Sequence, residues 1–264
     1  MFNRITPAVK NLIIINVLML LATMGLSNYI KLDEYLALYY YQSPYFHYYQ
    51  YITYMFMHGG FLHILLNMWG LYMFGSILEQ VWGSKRFLIF YFVTGIGAAL
   101  FYTLINHFEF ASMIKAQHAF INTPTPGLLQ LFVKDYLQSP SGELLAFINQ
   151  WTQAPGNSQM ILQSKEIVNS IVSIRINVPC VGASGAIYGI LLGFAMLFPN
   201  TKLMMLFLPI PIKAKYFVII FGAIELYSSF SQAGDNIAHV AHLGGMIFGF
   251  IMIKLWSKDS NRFY

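Results

Sequence analysis

Residues 181–198 read VGASGAIYGILLGFAMLF, a run without a charged side chain in which glycine recurs every fourth position at Gly185, Gly189 and Gly193. A helix rises 1.5 Å per residue, so about 20 apolar residues cross the hydrocarbon core of a bilayer. Small residues at four-residue spacing let two helix backbones approach closely. The run therefore predicts a tightly packed membrane-spanning helix, with the Ser184 hydroxyl near its start.

The composition of the whole chain agrees with a membrane protein. Of its 264 residues, 57% are hydrophobic and 9% are charged, whereas a soluble domain averages about 45–50% and 25%. The net charge of +5 does not indicate nucleic acid as a partner, because the basic residues do not cluster with interleaved aromatic residues. The composition excludes a soluble globular protein and predicts an all-α polytopic protein in contact with the lipid bilayer.

Apolar runs and their flanks predict six transmembrane helices in one membrane domain, residues 1–264. The predicted spans are Asn11 to Tyr29, Met55 to Leu78, Phe87 to Ile105, Val181 to Phe198, Lys215 to Phe230 and Ile237 to Trp256. An even number of spans places both termini on the same side of the membrane.

The basic residues orient this arrangement. On the side of the termini lie Arg4, Lys10, Lys85, Arg86, Lys202, Lys213, Lys215, Lys254, Lys258 and Arg262, whereas the short loops opposite carry only Lys31. Basic residues in short loops are enriched on the cytoplasmic side. We therefore expect a multi-pass protein of the plasma (inner) membrane with both termini in the cytoplasm.

Two exterior segments interrupt the simple pattern. The first loop, residues 29–51, is dense in tyrosine and is expected to lie in the outer interface, either as a specific fold or as an ordinary aromatic belt. The second, residues 107–179, is a long insertion between the third and fourth spans. Its helix-start signals at Thr125-Pro126 and Ser139-Pro140-Ser141 predict amphipathic helices, on the outer membrane face or packed on the bundle.

Polar groups at membrane depth are candidate functional groups because they are costly to bury in lipid. His63 and Asn67 lie four residues apart on the second span, Ser184 begins the fourth, and His242 lies in the outer part of the sixth. Each has a structural alternative: His63 and Asn67 can hydrogen-bond between helices, Ser184 can be a packing residue, and His242 can be a satisfied core histidine.

The direction of the spans favours a common site for these groups. The fourth and sixth spans both run inward, so Ser184 and His242 are expected at similar depth. Gly245 and Gly249 on the sixth span match the glycine stripe on the fourth, which would let the hydroxyl and the imidazole meet. Tyr188, one turn below Ser184, could stack on the imidazole and fix its orientation, where no acidic third member is evident.

Two other kinds of site are not predicted. The G-x-S-x-G elbow of soluble hydrolases requires a strand before the serine, and here Ala186 stands at its last position inside an apolar run. A zinc site is not expected, because no carboxylate is expected near His58, His63, His239 or His242. The sequence thus predicts neither a metal nor a cofactor.

With these motifs the chain resembles the rhomboid family of intramembrane serine proteases, of the bacterial type, from about Asn11 to Trp256. The carriers are the stretch His58 to Asn67 followed by Glu79, the element Gly182-Ala183-Ser184-Gly185 with Tyr188, and Ala241-His242-Leu243-Gly244-Gly245 with Gly249. The resemblance implies a rhomboid-like bundle in which Ser184 is the nucleophile and His242 the general base and acid. It also implies that His63 and Asn67 stabilise the oxyanion with the Ser184 backbone N–H, while Glu79, Gly182, Gly185, Gly245 and Gly249 are structural.

The resemblance further implies that the substrates are transmembrane proteins, cleaved in or near their membrane segments at an active site open to the exterior. A lateral gate would lie between the second and fifth spans, capped by the loop Ser231 to Asn236. The chain departs from the family where Tyr49-Gln50 stands in place of a Trp-Arg pair. The alternatives are a catalytically inactive rhomboid-like protein that binds membrane clients and, from a different class, a six-helix transporter.

Overall fold

The computed structural model describes residues 5–137, 139–205, 208–231 and 236–258. These residues are mostly helical, and several helices are apolar along their length, as predicted. The helices are α1 Pro7–Leu26, α2 Leu32–Leu36, α3 Gln50–Thr53, α4 Phe61–Gly70, α5 Ser76–Asn122, α6 Pro126–Tyr136, α7 Gly142–Gln153, α8 Ser158–Ile176, α9 Ser184–Leu197, α10 Ala214–Ser231 and α11 Asn236–Lys258.

The chain divides into two compact units. The first consists of Met1–Tyr39, Tyr45–Thr103 and Pro179–Tyr264, and the second of Tyr40–Pro44 and Leu104–Val178. Each unit has its own core of buried apolar side chains, and the two cores share no residue. The helix α5 contributes residues to both units.

Three helices of the described residues are long and apolar enough to cross a membrane: Pro7–Leu26, Phe61–Asn122 and His239–Ser257. The second of these combines two predicted spans, because α4 continues through a π-helical turn, Leu71–Gly75, into α5. Within α5 the backbone departs from helical geometry at Gly83, whose φ is +76°. This left-handed region favours glycine, so the chain bends at the point where the sequence predicts the connection between two spans.

The N-terminus of α1 is capped by a carboxylate from another helix. The Ala8 and Val9 backbone N–H groups donate to the two carboxylate oxygens of Glu79, each at 2.9 Å, whereas the N-cap residue Thr6 makes no side-chain cap bond. The first N–H groups of a helix lack intrahelical acceptors and carry partial positive charge. Glu79, only 3% exposed, therefore acts as the N-terminal cap of α1.

The helices α9 and α11 approach closely through their glycines. A Cβ at Gly245 would lie 1.8 Å from the Gly185 carbonyl oxygen, and one at Gly249 would lie 3.1 Å from the Gly189 Cα. On another face of α9, a Cβ at Gly185 would lie 2.6 Å from the Ala98 Cβ of α5. No side chain fits between the backbones at Gly245, whereas the contacts at Gly185 and Gly249 are tightly packed.

The second unit is built from helices whose starts are readable in the sequence. Thr125 caps α6 ahead of Pro126, and Ser141 caps α7, each by accepting a backbone N–H, which confirms the two predicted helix starts. The helix α8 begins at an Asn157 cap after Pro155-Gly156 and was not predicted. Their apolar faces enclose Trp151, which is fully buried.

The helix that contains the third predicted span extends beyond Ile105. The helix α5 continues to Asn122, so the segment from His107 begins in helical conformation. Residues 107–122 contain neither glycine nor proline, and Phe110, Met113 and Phe120 are buried in the second core. The apolar run ends at Ile105, whereas the first helix breaker after it is Pro124.

Two strands follow α9, β1 Lys202–Met205 and β2 Leu208–Lys213, which pair as an antiparallel ribbon with Lys202 opposite Lys213. The ribbon leads directly into α10, whose Ala214 N–H donates to the Thr201 carbonyl oxygen at 2.8 Å.

In the first loop, the buried Gln50 side chain forms hydrogen bonds to four backbone groups. Its amide oxygen accepts the N–H groups of Tyr39 and His47, and its amide nitrogen donates to the carbonyl oxygens of Tyr35 and Tyr45. An amide can accept two hydrogen bonds and donate two, so Gln50 is fully satisfied. The residue that departs from the family's Trp-Arg pair is thus itself an anchor of the loop.

Replacing Gly245 by alanine should separate α9 from α11. The new methyl group would overlap the Gly185 carbonyl oxygen, and overpacking of this kind costs about 1–3 kcal/mol or more. We expect a lower midpoint of thermal unfolding in detergent. Gly25→Ala is the matched control, since a Cβ at Gly25 meets nothing within 4 Å. Unfolding of Gly245→Ala at the wild-type temperature would contradict the contact.

Candidate functional site

The segment before α9 fixes the position of Ser184. The backbones of Leu38 and Cys180 pair through two hydrogen bonds of 3.0 and 2.8 Å, and the Gly182 N–H donates to the Tyr54 carbonyl oxygen at 2.9 Å. Gly182 has a φ of +123°, a conformation that side chains disfavour. Ser184 then begins the helix, where its own N–H has no intrahelical acceptor.

The structure brings Ser184 and His242 together. The imidazole Nε2 of His242 lies 2.8 Å from the Ser184 Oγ, within hydrogen-bond distance. The Tyr188 ring stacks on the imidazole with a centroid distance of 4.1 Å and an interplanar angle of 9°. The hydroxyl, the imidazole and the stacked ring thus come from α9 and α11, the two helices that approach through Gly185 and Gly245.

His63 lies beside the same segment. The Gly59 N–H donates to the His63 Nδ1 at 3.3 Å, so the neutral ring carries its proton on Nε2. A Cβ at Gly182 would lie 2.8 Å from this Nε2 and 3.6 Å from the Ser184 Oγ. Because Gly182 has no side chain, the Nε2–H of His63 can lie next to Ser184.

Asn67 lies one helical turn after His63 and is buried. Its amide nitrogen donates to the His63 carbonyl oxygen at 2.9 Å, which leaves its second N–H available. His58 is also buried, and its ring lies 5.0 Å from that of His63, edge to face. The helix α4 thus presents a group of polar side chains next to the start of α9.

The prediction of a site without an acidic third member is wrong. Glu225 of α10 is buried, accepts a short hydrogen bond from the Tyr188 hydroxyl and lies 2.6 Å from the His239 Nδ1. The same carboxylate oxygen lies 3.1 Å from the His242 Nδ1, although this contact lacks the alignment of a hydrogen bond. A carboxylate therefore stands on the side of the imidazole opposite the serine.

The expectation that no carboxylate lies near the histidines is wrong for the same reason. Glu225, His239 and His242 each offer a donor atom, and these atoms lie within 4.8 Å of one another. Imidazole nitrogen and carboxylate oxygen are ligands that Zn²⁺ accepts. In the structure, however, His239 hydrogen-bonds to the Glu225 carboxylate, and His242 contacts both this carboxylate and the Ser184 hydroxyl.

One signal in the sequence could have identified Glu225. It is an acidic residue within the predicted span Lys215 to Phe230, and an ionisable residue at membrane depth is a functional candidate by default. Its partners could not be read from the sequence, because no motif indicates which way α10 turns its carboxylate. Residues 232–235 of the loop expected to cap a gate lie outside the described residues.

Comparison with known proteins gives two findings. Residues 45–113 and 146–259 match the model of the rhomboid domain. A stretch of 79 residues is 37% identical to "RHOMBOID-like protein 12, mitochondrial" from Arabidopsis thaliana, and covers 29% of this chain. The matched stretch spans 24% of the length of that plant protein.

Proposed function

Because the chain belongs to the rhomboid family, we propose that it is an intramembrane serine protease that hydrolyses peptide bonds in or near the transmembrane segments of other membrane proteins. The family resemblance inferred from the sequence is confirmed by the domain match. The observation that carries the proposal is the 2.8 Å contact between the Ser184 Oγ and the His242 Nε2, which joins a nucleophile to a base.

In this reaction the His242 Nε2 takes the Ser184 proton while the Oγ attacks the carbonyl carbon of the scissile bond. The protonated imidazole then donates the proton to the leaving amine nitrogen as the C–N bond breaks, which leaves an ester on Ser184. A water molecule, deprotonated by the same imidazole, hydrolyses the ester and restores both side chains. Tyr188 keeps the ring in the plane that serves both transfers.

Negative charge develops on the carbonyl oxygen in each tetrahedral intermediate. We assign its stabilisation to the Ser184 N–H at the start of α9, to the His63 Nε2–H and to the free N–H of the Asn67 amide. The tautomer of His63 and its position beside Gly182 support this role. Each such donor typically contributes about 10²–10³ in rate.

We propose the six-span topology of a bacterial rhomboid, with both termini in the cytoplasm and the active site open to the exterior of the plasma membrane. The ten-to-one distribution of basic residues over the short loops supports the orientation. The helices α1, α4 with α5, α9, α10 and α11 each coincide with predicted spans, which supports the count. The substrates would then reach the site from the bilayer.

We further propose that residues 107–179 form an exterior insertion in a single membrane domain. Of these residues, the rhomboid match leaves out 114–145, which include all of α6. The wider range is supported by the separate core of the second unit. A body with its own core can be added between two spans without changing how those spans pack.

Replacing Ser184 by alanine should abolish proteolysis, because within the part of the chain that the structure describes Ser184 supplies the hydroxyl that contacts the His242 Nε2. The measurement compares wild type and Ser184→Ala in liposomes with a fluorogenic reporter whose single transmembrane segment carries a small residue near its outer end. We expect the rate to fall by at least about 10³-fold. The thermal unfolding midpoint should stay close to wild type, since the hydroxyl is a small part of the packing.

Labelling by a fluorophosphonate probe separates the protease from the inactive client-binding alternative. Wild type should be labelled at Ser184, and Ser184→Ala should not. Cleavage by the alanine variant would contradict the assignment of Ser184. Absence of both cleavage and labelling in the folded wild type would contradict the protease and favour the client binder.

Chelation of metal ions should leave proteolysis unchanged, because Ser184 and His242 supply the nucleophile and the base. Activity is measured after dialysis against EDTA and again after addition of Zn²⁺. A loss on chelation that Zn²⁺ restores would contradict this expectation and indicate that Glu225, His239 and His242 hold a metal ion.

Replacing residues 107–178 with a flexible linker of about ten Gly and Ser residues should leave the catalytic groups intact. The two cores share no residue, so the first unit keeps its buried contacts. We expect fluorophosphonate labelling of Ser184 to stay within about threefold of wild type. Loss of labelling in a folded variant would show that the insertion supports the site.

A further inference from the structure

We infer that Glu225 is a positioning residue for His242 and completes a Ser184–His242–Glu225 triad within the membrane. This inference rests on the proposed protease function. The contact that suggests it is the 3.1 Å distance between the Glu225 carboxylate and the His242 Nδ1. The opposite ring nitrogen faces the serine. The imidazole thus stands between a hydroxyl and a carboxylate.

A carboxylate in this position has two physical effects. It favours the tautomer that carries a proton on Nδ1, and this tautomer leaves Nε2 free to accept the serine proton. It also stabilises the positive charge that forms on the ring after that transfer. Tyr188 does not supply the first effect, because stacking orients the ring plane but does not select a tautomer.

The surroundings of Glu225 hold the carboxylate at this place. The Tyr188 hydroxyl donates to one oxygen, and the His239 Nδ1 lies 2.6 Å from the other. The side chain is 7% exposed, and a carboxylate buried in an apolar environment is destabilising unless it is paired and hydrogen-bonded. Three of the side chains around it, Tyr188, His239 and His242, therefore fix its position.

The imperfect alignment at His242 fits this role. Catalytic hydrogen bonds are often long or poorly aligned in a free enzyme and tighten during the reaction. Among the described residues the His242 Nδ1 has no hydrogen-bond partner, so its N–H is available to the carboxylate.

A purely structural role for Glu225 makes a different prediction. In that role Glu225 would link α10 to α9 and α11 through Tyr188 and His239. Its loss would lower the stability of the protein but not kcat. Glu79 offers the matched case, because it is also buried and binds two backbone N–H groups of α1. It belongs to the cap of α1 and makes no contact that involves Ser184 or His242.

The test compares Glu225→Gln with Glu79→Gln in kcat, KM and unfolding midpoint, using the transmembrane reporter in liposomes. Glutamine keeps the size and one acceptor oxygen of Glu225 but removes the charge. We expect kcat of Glu225→Gln to fall by about 10²–10⁴-fold with KM unchanged. Glu79→Gln should lower the unfolding midpoint and leave kcat within about threefold of wild type.

The conservative variant Glu225→Asp restores the charge but withdraws it by one methylene group. Its kcat should lie between those of wild type and Glu225→Gln. The inference is overturned if folded Glu225→Gln keeps kcat within about threefold of wild type, or if Glu225→Asp is no faster than Glu225→Gln. Should Glu225→Gln not fold, a wild-type kcat in Glu225→Asp overturns it.

Failure of the inference is distinct from failure of the proposed function. A wild type that cleaves the reporter and labels at Ser184, while Glu225→Gln does so equally well, overturns only the role of Glu225. A folded wild type that neither cleaves nor labels overturns both.

Discussion

The contact between Gly185 and Gly245 determines what the rest of the site can be. A Cβ on Gly245 would lie 1.8 Å from the Gly185 carbonyl oxygen, so the backbones of α9 and α11 meet without side chains between them. Lipid gives little hydrophobic drive for helix association, and close van der Waals packing takes its place. Because Ser184 and His242 lie within one turn of these glycines, the same packing that joins the helices sets the 2.8 Å distance between hydroxyl and imidazole.

Much of this arrangement could be predicted from the sequence. The glycine stripes, the apolar runs and the direction of the spans were enough to place Ser184 near His242 and Tyr188 against the ring. This worked because spacing on a helix and depth in a bilayer are both one-dimensional quantities. In so apolar a chain, each polar residue within a span is visible against its background.

The remainder required contacts between elements that spacing does not relate. Glu225 lies on α10, and nothing in the sequence indicates which way that helix turns its carboxylate. The four hydrogen bonds of Gln50 join separate parts of a loop, and the absence of the family's Trp-Arg pair gave no hint of them. The extension of α5 to Asn122 was missed because apolar composition ended before the helix did.

Two buried carboxylates show how the same constraint produces different roles. A carboxylate in an apolar environment persists only where donors satisfy its oxygens. For Glu79 the principal donors are the Ala8 and Val9 backbone N–H groups, so its loss exposes the start of a helix. For Glu225 the surrounding donors are side chains, and one of its neighbours, His242, also contacts the candidate nucleophile. This difference in donors separates Glu79, a helix cap, from Glu225, a member of the site. Of the two carboxylates, Glu225 is the one placed to stabilise the positive charge that forms on the His242 imidazole.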